Sequence, residues 1–118
     1  MAYDEMLAQR IREVFFKLNV PFLEKKMFSG VCFLVDNKMC CGTHIDRSTQ
    51  ESLLLCRISE AEAIKAIELP FVLPMNFTGK PMRGYIYVCE EGIESLKGLN
   101  FWIQLCLNFN PSAKKSRK

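Results

Sequence analysis

Three residues near the middle of the chain, Cys40, Cys41 and His44 in CCGTH, are of types that bind zinc or form a thiol nucleophile with its base. Neighbouring residues of a strand point to opposite faces, so Cys40 and Cys41 meet at one ion only if the strand carries a bulge. The chain has no C-x-x-C spacing and no second histidine. We therefore expect no metal, no cofactor and no catalytic residue, and an enzyme centred on Cys41 and His44 is the less favoured reading.

A phosphate-binding loop is suggested by Gly79 and Lys80 in PMNFTGKPMRGYIYV, residues 74–88. A P-loop has the pattern G-x-x-x-x-G-K-[ST], and here Pro74 and Pro81 stand where the first glycine and the hydroxyl residue belong. Proline also lacks the backbone N–H that would hold phosphate. The stretch is better explained as a rigid bend in which Gly79 and Pro81 direct the chain, and Gly84 lets another backbone, or a bulky residue such as Trp102, come close.

The stretch RGYIYVCE resembles the RNP1 motif of RNA-recognition modules at Arg83, Gly84, Tyr85 and Val88. Those modules begin with a strand, whereas this chain begins with a helical pattern. An RNA-binding sheet is therefore not favoured.

Alternation along this strand predicts a surface instead. Arg83, Tyr85 and Tyr87 fall on one face, opposite the apolar set that ends with Ile86 and Val88. If the apolar set packs on helices, the arginine and tyrosines stand on the open side of the sheet. Tyrosine and arginine are enriched in binding hot spots, so these residues are the candidate interaction surface.

The basic residues suggest an alternative function, that of a nucleic-acid accessory protein. The candidate contacts are Lys25, Lys26, Lys80 and Arg83, together with the basic tail. The net charge is +3, but the tail holds four of the 16 cations, which leaves 12 cations against 13 acids in residues 1–113. Lys25 and Lys26 are neighbours on a strand and face opposite ways. Protein contact is therefore preferred over nucleic acid.

Hydrophobic periodicity and turn residues predict the order α-β-β-β-β-α-β-α. A first helix with Leu7, Ile11, Val14, Phe15 and Leu18 on one stripe ends before Pro21, and a last one with Leu96, Leu99, Trp102, Ile103 and Cys106 ends near 109. Ser59 and Glu62 form a capping box for the middle helix, and Asp36-Asn37 is a tight turn. Hairpin-length links imply a two-layer α+β domain of about five antiparallel strands with helices on one face.

The cellular compartment can be predicted from the N-terminal residues, the apolar runs and the cysteines. The opening MAYDEMLAQR is charged and lacks the apolar core of a signal peptide, and no apolar run is long enough to span a membrane. The cysteines mostly sit in apolar runs, which favours buried, reduced thiols. We expect a cytoplasmic protein without a membrane partner.

Three stretches in this order resemble the TfoX N-terminal domain family, named for bacterial regulators of transformation competence: EKKMFSG at 24–30, NKMCCG at 37–42 and MNFTGKPMRGYIYV at 75–88. The resemblance implies a two-layer α+β domain over residues 1–110, followed by a basic tail at 111–118 that we expect to be disordered. It also implies a stand-alone member without the second, helical domain of full regulators. The motif positions are mainly apolar or glycine, which suggests structural roles: Met27, Phe28, Gly30, Cys40, Cys41, Gly42, Phe77, Gly79, Pro81, Met82 and Gly84.

These observations predict a non-enzymatic interaction domain in a regulatory setting. Its partner is an unidentified protein or a second copy of the chain.

Overall fold

The computed structural model describes residues 5–27, 30–46, 49–77 and 80–113, and within them it leaves out the side chains of 27, 75–77 and 80–83. Outside the described residues lie Asp4, whose residue type can cap a helix that begins after it, the motif residues Phe28 and Gly79, and the cationic end of the tail. The elements follow in the order α1 (Glu5–Lys17), β1 (Leu23–Met27), β2 (Gly30–Val35), β3 (Lys38–Ile45), β4 (Ser52–Arg57), α2 (Glu60–Ala66), β5 (Val72–Phe77), β6 (Lys80–Val88), α3 (Glu90–Ile93) and α4 (Leu96–Phe109). A short 3-10 turn at Asn110–Ser112 follows.

Helix α1 packs through the stripe that its periodicity predicts. Leu7, Ile11, Val14 and Phe15 are buried, whereas Leu18 is 41% exposed because the helix ends at Lys17. The ring of Phe15 lies 6.0 Å from that of Phe33 on β2, and Phe22 contacts both rings. These aromatic contacts fix α1 on the sheet.

Tight turns and one bulge shape the hairpins that open the sheet. Asp36 and Asn37 both have positive φ, as the two central residues of a type I′ turn require, and they join β2 to β3. In the ladder between these strands, Phe33 pairs with Cys41 but Leu34 pairs with Met39. Cys40 is therefore the extra residue of a β-bulge.

Helix α2 begins where the sequence predicts. The side chain of Ser59 accepts a hydrogen bond from the backbone N–H of Glu62 at 3.1 Å. Ala63 and Ala66 are buried, whereas Ile64 is 64% exposed. The small side chains let this short helix lie close to β6.

Strand β5 is an addition to the predicted elements. The sequence predicts a bend around Gly79 and Pro81, but Val72–Phe77 pairs antiparallel with β6 and forms the edge of the sheet. Pro74 is tolerated there because an edge strand has no partner on its outer side. The short helix α3 is a further addition, since the predicted order has no helix between the last strand and the last helix.

Within the described residues the sheet has six strands in the order β1-β2-β3-β4-β6-β5, and every pair is antiparallel. One core cluster joins buried side chains of the helices, such as Ile11 and Trp102, to alternate residues of the strands, such as Leu54 and Ile86. The predicted two-layer α+β class is confirmed, with one strand more than the expected five. Across the residues described, no helix is long and apolar enough to cross a membrane.

Candidate interaction surface on the open sheet face

The face of the sheet that points away from the helices, here called the open face, carries the two tyrosines of the predicted surface. Along β6 the described side chains alternate: Ile86 and Val88 are buried in the core, whereas Tyr85 and Tyr87 are half-buried. Because strand residues alternate between faces, both phenol rings lie on the open face.

Tyr85 is held by a cation on the neighbouring strand. Its register partner on β4 is Arg57, and the guanidinium carbon lies 5.5 Å from the centre of the phenol ring. A cation over an aromatic face at this distance is attracted by the ring quadrupole. Arg57 therefore takes part in the surface in a position that the sequence did not single out.

Tyr87 is stacked on the only histidine. The two rings are 4.9 Å apart between centres and 14° from parallel. His44 lies on β3 and Tyr87 on β6, so the stack crosses over β4. Burial, and secondarily the negative charge of Asp46, raise the pKa of Tyr87, which keeps the phenol protonated at neutral pH.

Leucines extend the surface between and beside these rings. Leu55 lies opposite Tyr87 on β4, and Leu73 lies opposite it on β5 with 39% of its area exposed. Farther along the sheet, Leu34 is half-buried and its register partner Leu23 is 61% exposed. The uncovered side of an antiparallel sheet usually alternates to polar residues. Here it carries leucines and tyrosines beside Arg57 and His44.

The predicted nucleic-acid contacts are not brought together. Lys25 pairs with Cys32 and Lys26 with Val31, so the two lysines face opposite sides as expected. Their strand β1 is one edge of the sheet, whereas Lys80 and Arg83 belong to β6, beside the other edge. Four strand spacings of about 4.8 Å place these strands roughly 19 Å apart. The side chains of Lys80 and Arg83 lie outside the described ones.

Cys41 and His44 lie on opposite faces of β3. Cys41 pairs with Cys56 and is buried in the core, whereas His44 pairs with Leu53 and stacks on Tyr87. Their placement does not fit a thiol–imidazole pair. In the described part of the chain, no three His, Cys, Asp or Glu side chains are arranged to hold a metal ion.

The motif glycines occupy close backbone approaches. A Cβ at Gly30 would overlap the carbonyl oxygen of Thr43, and one at Gly42 would lie 2.6 Å from that of Val31. Gly84 has φ +80°, and a Cβ there would lie 2.7 Å from the carbonyl oxygen of Ile58. The group that approaches Gly84 is thus the backbone of Ile58, not the Trp102 side chain suggested above.

Arg57, His44 and the leucines are parts of the surface that were not predicted from the sequence. The alternation in SLLLCRI already separates Leu55 and Arg57 from Leu54 and Cys56. What it could not supply was that β4 lies between β3 and β6, which pairs Leu55 with Tyr87 and Arg57 with Tyr85.

Fold and surface together define a two-layer α+β domain whose antiparallel sheet has helices on one face and an aromatic, apolar open face. A family model described as the TfoX N-terminal domain matches residues 16–110. The chain belongs to the TfoX N-terminal domain family, as its motifs suggested, and is a competence-regulator-like domain. Comparison with curated proteins and with solved structures gave no match.

Proposed function

We propose that the chain is a non-enzymatic, cytoplasmic interaction domain with a regulatory role, which binds a protein partner or a second copy of itself through the open face. The observation that carries this proposal is the pair of half-buried tyrosines, Tyr85 and Tyr87, set among leucines on the side of the sheet away from the helices. Burying such rings against a partner supplies most of the binding energy of many interfaces.

The rings are also held in place before any partner binds. Arg57 lies over Tyr85 and His44 stacks on Tyr87, so both side chains have less rotational freedom to lose on association. Immobilising a side chain costs about 0.5–1.5 kcal/mol in a protein interface. The observed contacts reduce this cost and favour the open face as a binding surface.

The non-enzymatic part of the proposal is supported by the separation of Cys41 from His44. A nucleophile needs its base within hydrogen-bond reach, and these residues occupy opposite faces of one strand. The nucleic-acid alternative stays a prediction. It requires lysines on β1 to act together with cations on β6, which lie on strands far apart in the sheet.

The first test compares the wild-type chain with Tyr85→Ala/Tyr87→Ala and with Phe101→Ala. Phe101 is the matched control because it is a 55% exposed aromatic residue on helix α4. Sedimentation analysis measures self-association, and affinity capture from host lysate, with and without nuclease, identifies a heterologous partner. We expect the double variant to weaken the contact by about 2 kcal/mol or more, about 30-fold in Kd, and Phe101→Ala to leave it unchanged.

The two possible partners, a second copy of the chain and a different protein, give different results. Concentration-dependent dimers that disappear only in the tyrosine variant identify a second copy as the partner. A captured protein that survives nuclease and is lost only in that variant identifies a heterologous partner. If oligomeric state and captured proteins are the same for all three chains, the open face is not the binding surface. Loss of all captured material on nuclease treatment supports the nucleic-acid alternative.

A further inference from the structure

A second candidate contact lies at the edge of the sheet formed by β1, Leu23–Met27. Among the described residues, β1 pairs only with β2, so its outer side has no further strand beside it. Leu23 is 61% exposed, and Glu24, Lys25 and Lys26 are exposed as well. An edge of this kind can pair with a strand of another molecule.

The two edges of the sheet differ in how well they suit such pairing. At the opposite edge, Pro74 lies within β5 and has no backbone N–H to donate to an incoming strand. Strand β1 contains no proline. Lysines at an edge usually discourage pairing by repulsion. In β1, however, Glu24 lies two residues from Lys26, so attraction or repulsion depends on the register of the incoming strand.

The direction of the backbone groups limits that register. The N–H of Val31 on β2 donates to Oγ1 of Thr43 on β3 at 3.2 Å, so the backbone of Val31 points toward β3. Its register partner on β1 is Lys26, whose backbone groups therefore point away from β2. This direction alternates along a strand, so Lys25 points toward β2, and Glu24 points outward like Lys26.

The two outward-pointing residues also share one face of the sheet. Glu24 accepts two hydrogen bonds from Arg12 on α1, so its side chain lies on the side that the helices cover. Lys26 is two residues along the strand and lies on the same face. Leu23 and Lys25 lie on the open face. A strand that pairs with β1 therefore meets one acidic and one basic residue at its hydrogen-bonded positions.

We propose that two copies of the chain pair edge to edge through β1, antiparallel about a two-fold axis at Lys25. Glu24 of each copy then lies opposite Lys26 of the other, and each such pair exchanges both of its backbone hydrogen bonds. Opposite charges that face each other across a strand pair stabilise it. The axis is perpendicular to the sheet, so the open faces of the two copies lie on the same side.

Charge selects this register over its neighbours. An axis at Glu24 places two carboxylates opposite each other, and an axis at Lys26 places two ammonium groups opposite each other. In the proposed register, Lys25 faces Lys25 of the other copy at a non-hydrogen-bonded position. That contact opposes pairing, although a long lysine side chain can turn its charge into water. The dimer is therefore weak, as expected for a contact made by one short strand.

Apolar side chains near the start of β1 add to the contact. Leu23 is 61% exposed on the open face. On the covered side, Phe16 of α1 is 64% exposed, and the centre of its ring lies 5.6 Å from that of Phe22. Phe22 directly precedes β1, so both rings lie close to the edge. These side chains flank the charged centre and offer apolar area to a second copy.

The first experiment traps the contact at its axis in the full chain. Lys25→Cys places the two introduced thiols opposite each other, with Cα atoms about 4.5 Å apart, a separation that a disulfide can span. Lys26→Cys is the matched control, because position 26 faces position 24 and not itself. After mild treatment with oxidised glutathione, non-reducing electrophoresis should show roughly tenfold more covalent dimer for Lys25→Cys than for Lys26→Cys or the wild type.

The second experiment tests the register by charge, using sedimentation equilibrium under reducing conditions. We expect Lys26→Glu to weaken self-association by about tenfold, because carboxylates then face each other at both symmetry-related pairs. Lys97→Glu changes the net charge equally at an exposed position on α4 and should have no effect. Lys25→Thr should tighten the dimer by about threefold, because it removes the like charges at the axis.

A mixture of two variants tests the same register by rescue. Glu24→Lys should also weaken self-association when alone, whereas its equimolar mixture with Lys26→Glu should form a heterodimer in which opposite charges face each other again. Circular dichroism checks that each variant is folded. If Glu24→Lys does not fold, because it loses the contact with Arg12, the variants at positions 25 and 26 decide the question.

Three outcomes overturn the proposal: a chain that stays monomeric at every concentration reached, equal crosslinking of Lys25→Cys and Lys26→Cys, or equal association of Lys26→Glu and Lys97→Glu. The edge contact is tested separately from the open face. Tyr85→Ala/Tyr87→Ala should leave the edge dimer unchanged. If that variant abolishes self-association and Lys26→Glu does not, the copies meet through the open face and the edge proposal is wrong.

Discussion

At the scale of single residues, Gly84 has a backbone conformation that residues with a side chain rarely adopt. Its φ is +80°. It lies between the register pairs Pro74–Ile86 and Asn76–Pro81, where β6 has more intervening residues than β5. Its carbonyl accepts a hydrogen bond from the N–H of Ile58 at 2.8 Å. Sequence predicted that a backbone would come close at Gly84. It could not identify Ile58, because that contact depends on the pairing of β4 with β6.

Gly84→Val is expected to destabilise the fold by about 2–4 kcal/mol, since it combines a strained φ with a Cβ pressed against a carbonyl oxygen. Urea denaturation of the purified variant measures the loss. Leu55→Val is the control, because it shortens a half-buried side chain on β4 without strain and should cost less than about 1.5 kcal/mol. Equal unfolding midpoints for the two variants would refute the strain argument.

On the open face, too, the contacts that depend on strand pairing could not be predicted from the sequence. Alternation along one strand was enough to place Tyr85 and Tyr87 on the same side. Their partners Arg57 and His44 come from two other strands and are brought close by pairing between residues distant in sequence. A single sequence carries no signal for that pairing, so the candidate site was predicted only along β6.

At the scale of helices and strands, local signals predicted most boundaries. The Ser59 cap of α2 and the Asp36-Asn37 turn act within a few residues, and both are found as expected. Strand β5 was missed because Pro74 argues against a central strand, and sequence does not show that Val72–Phe77 lies at an edge. Element type is decided locally, whereas position in the sheet is decided by long-range packing.

One side-chain pair joins helix α1 to the edge strand β1. Arg12 donates from Nε and Nη2 to the two carboxylate oxygens of Glu24, at 2.6 and 2.9 Å. Only 18% of the Arg12 side chain is exposed, and its pKa is raised, most of all by the hydrogen bond with Glu24. Such a two-pronged contact is stronger than an ordinary surface pair.

A double-mutant cycle with Arg12→Ala and Glu24→Ala is expected to give a coupling energy of about 0.5–1 kcal/mol, at the upper end for partly exposed pairs. The matched control is the cycle of Lys65→Ala and Glu62→Ala. In that pair, Nζ of Lys65 lies 3.9 Å from Oε2 of Glu62, and both side chains are exposed. That coupling should be near zero. Equal coupling in the two cycles would show that the two-pronged geometry adds nothing.

At the scale of the whole molecule, the helices and the covered face of the sheet share one core. Buried residues from α1, α2, α3 and α4 belong to the same cluster as those of the strands, among them Ala63, Ile93 and Trp102. Tyr85 and Tyr87 on the open face do not belong to this cluster. The two faces therefore have separate tasks, one in folding and the other, we propose, in binding.

A single core predicts cooperative unfolding, and Trp102 reports on it. This residue is the only tryptophan and is 3% exposed in the core. Under reducing conditions, its fluorescence and the far-UV circular dichroism should give the same urea midpoint, because losing the core removes both helix packing and sheet pairing. Gly84→Val should lower both midpoints equally, whereas Tyr85→Ala/Tyr87→Ala should lower them much less, since those rings lie outside the core. Fluorescence that changes at lower urea than the circular dichroism would instead mean that the helices leave the sheet before the strands separate.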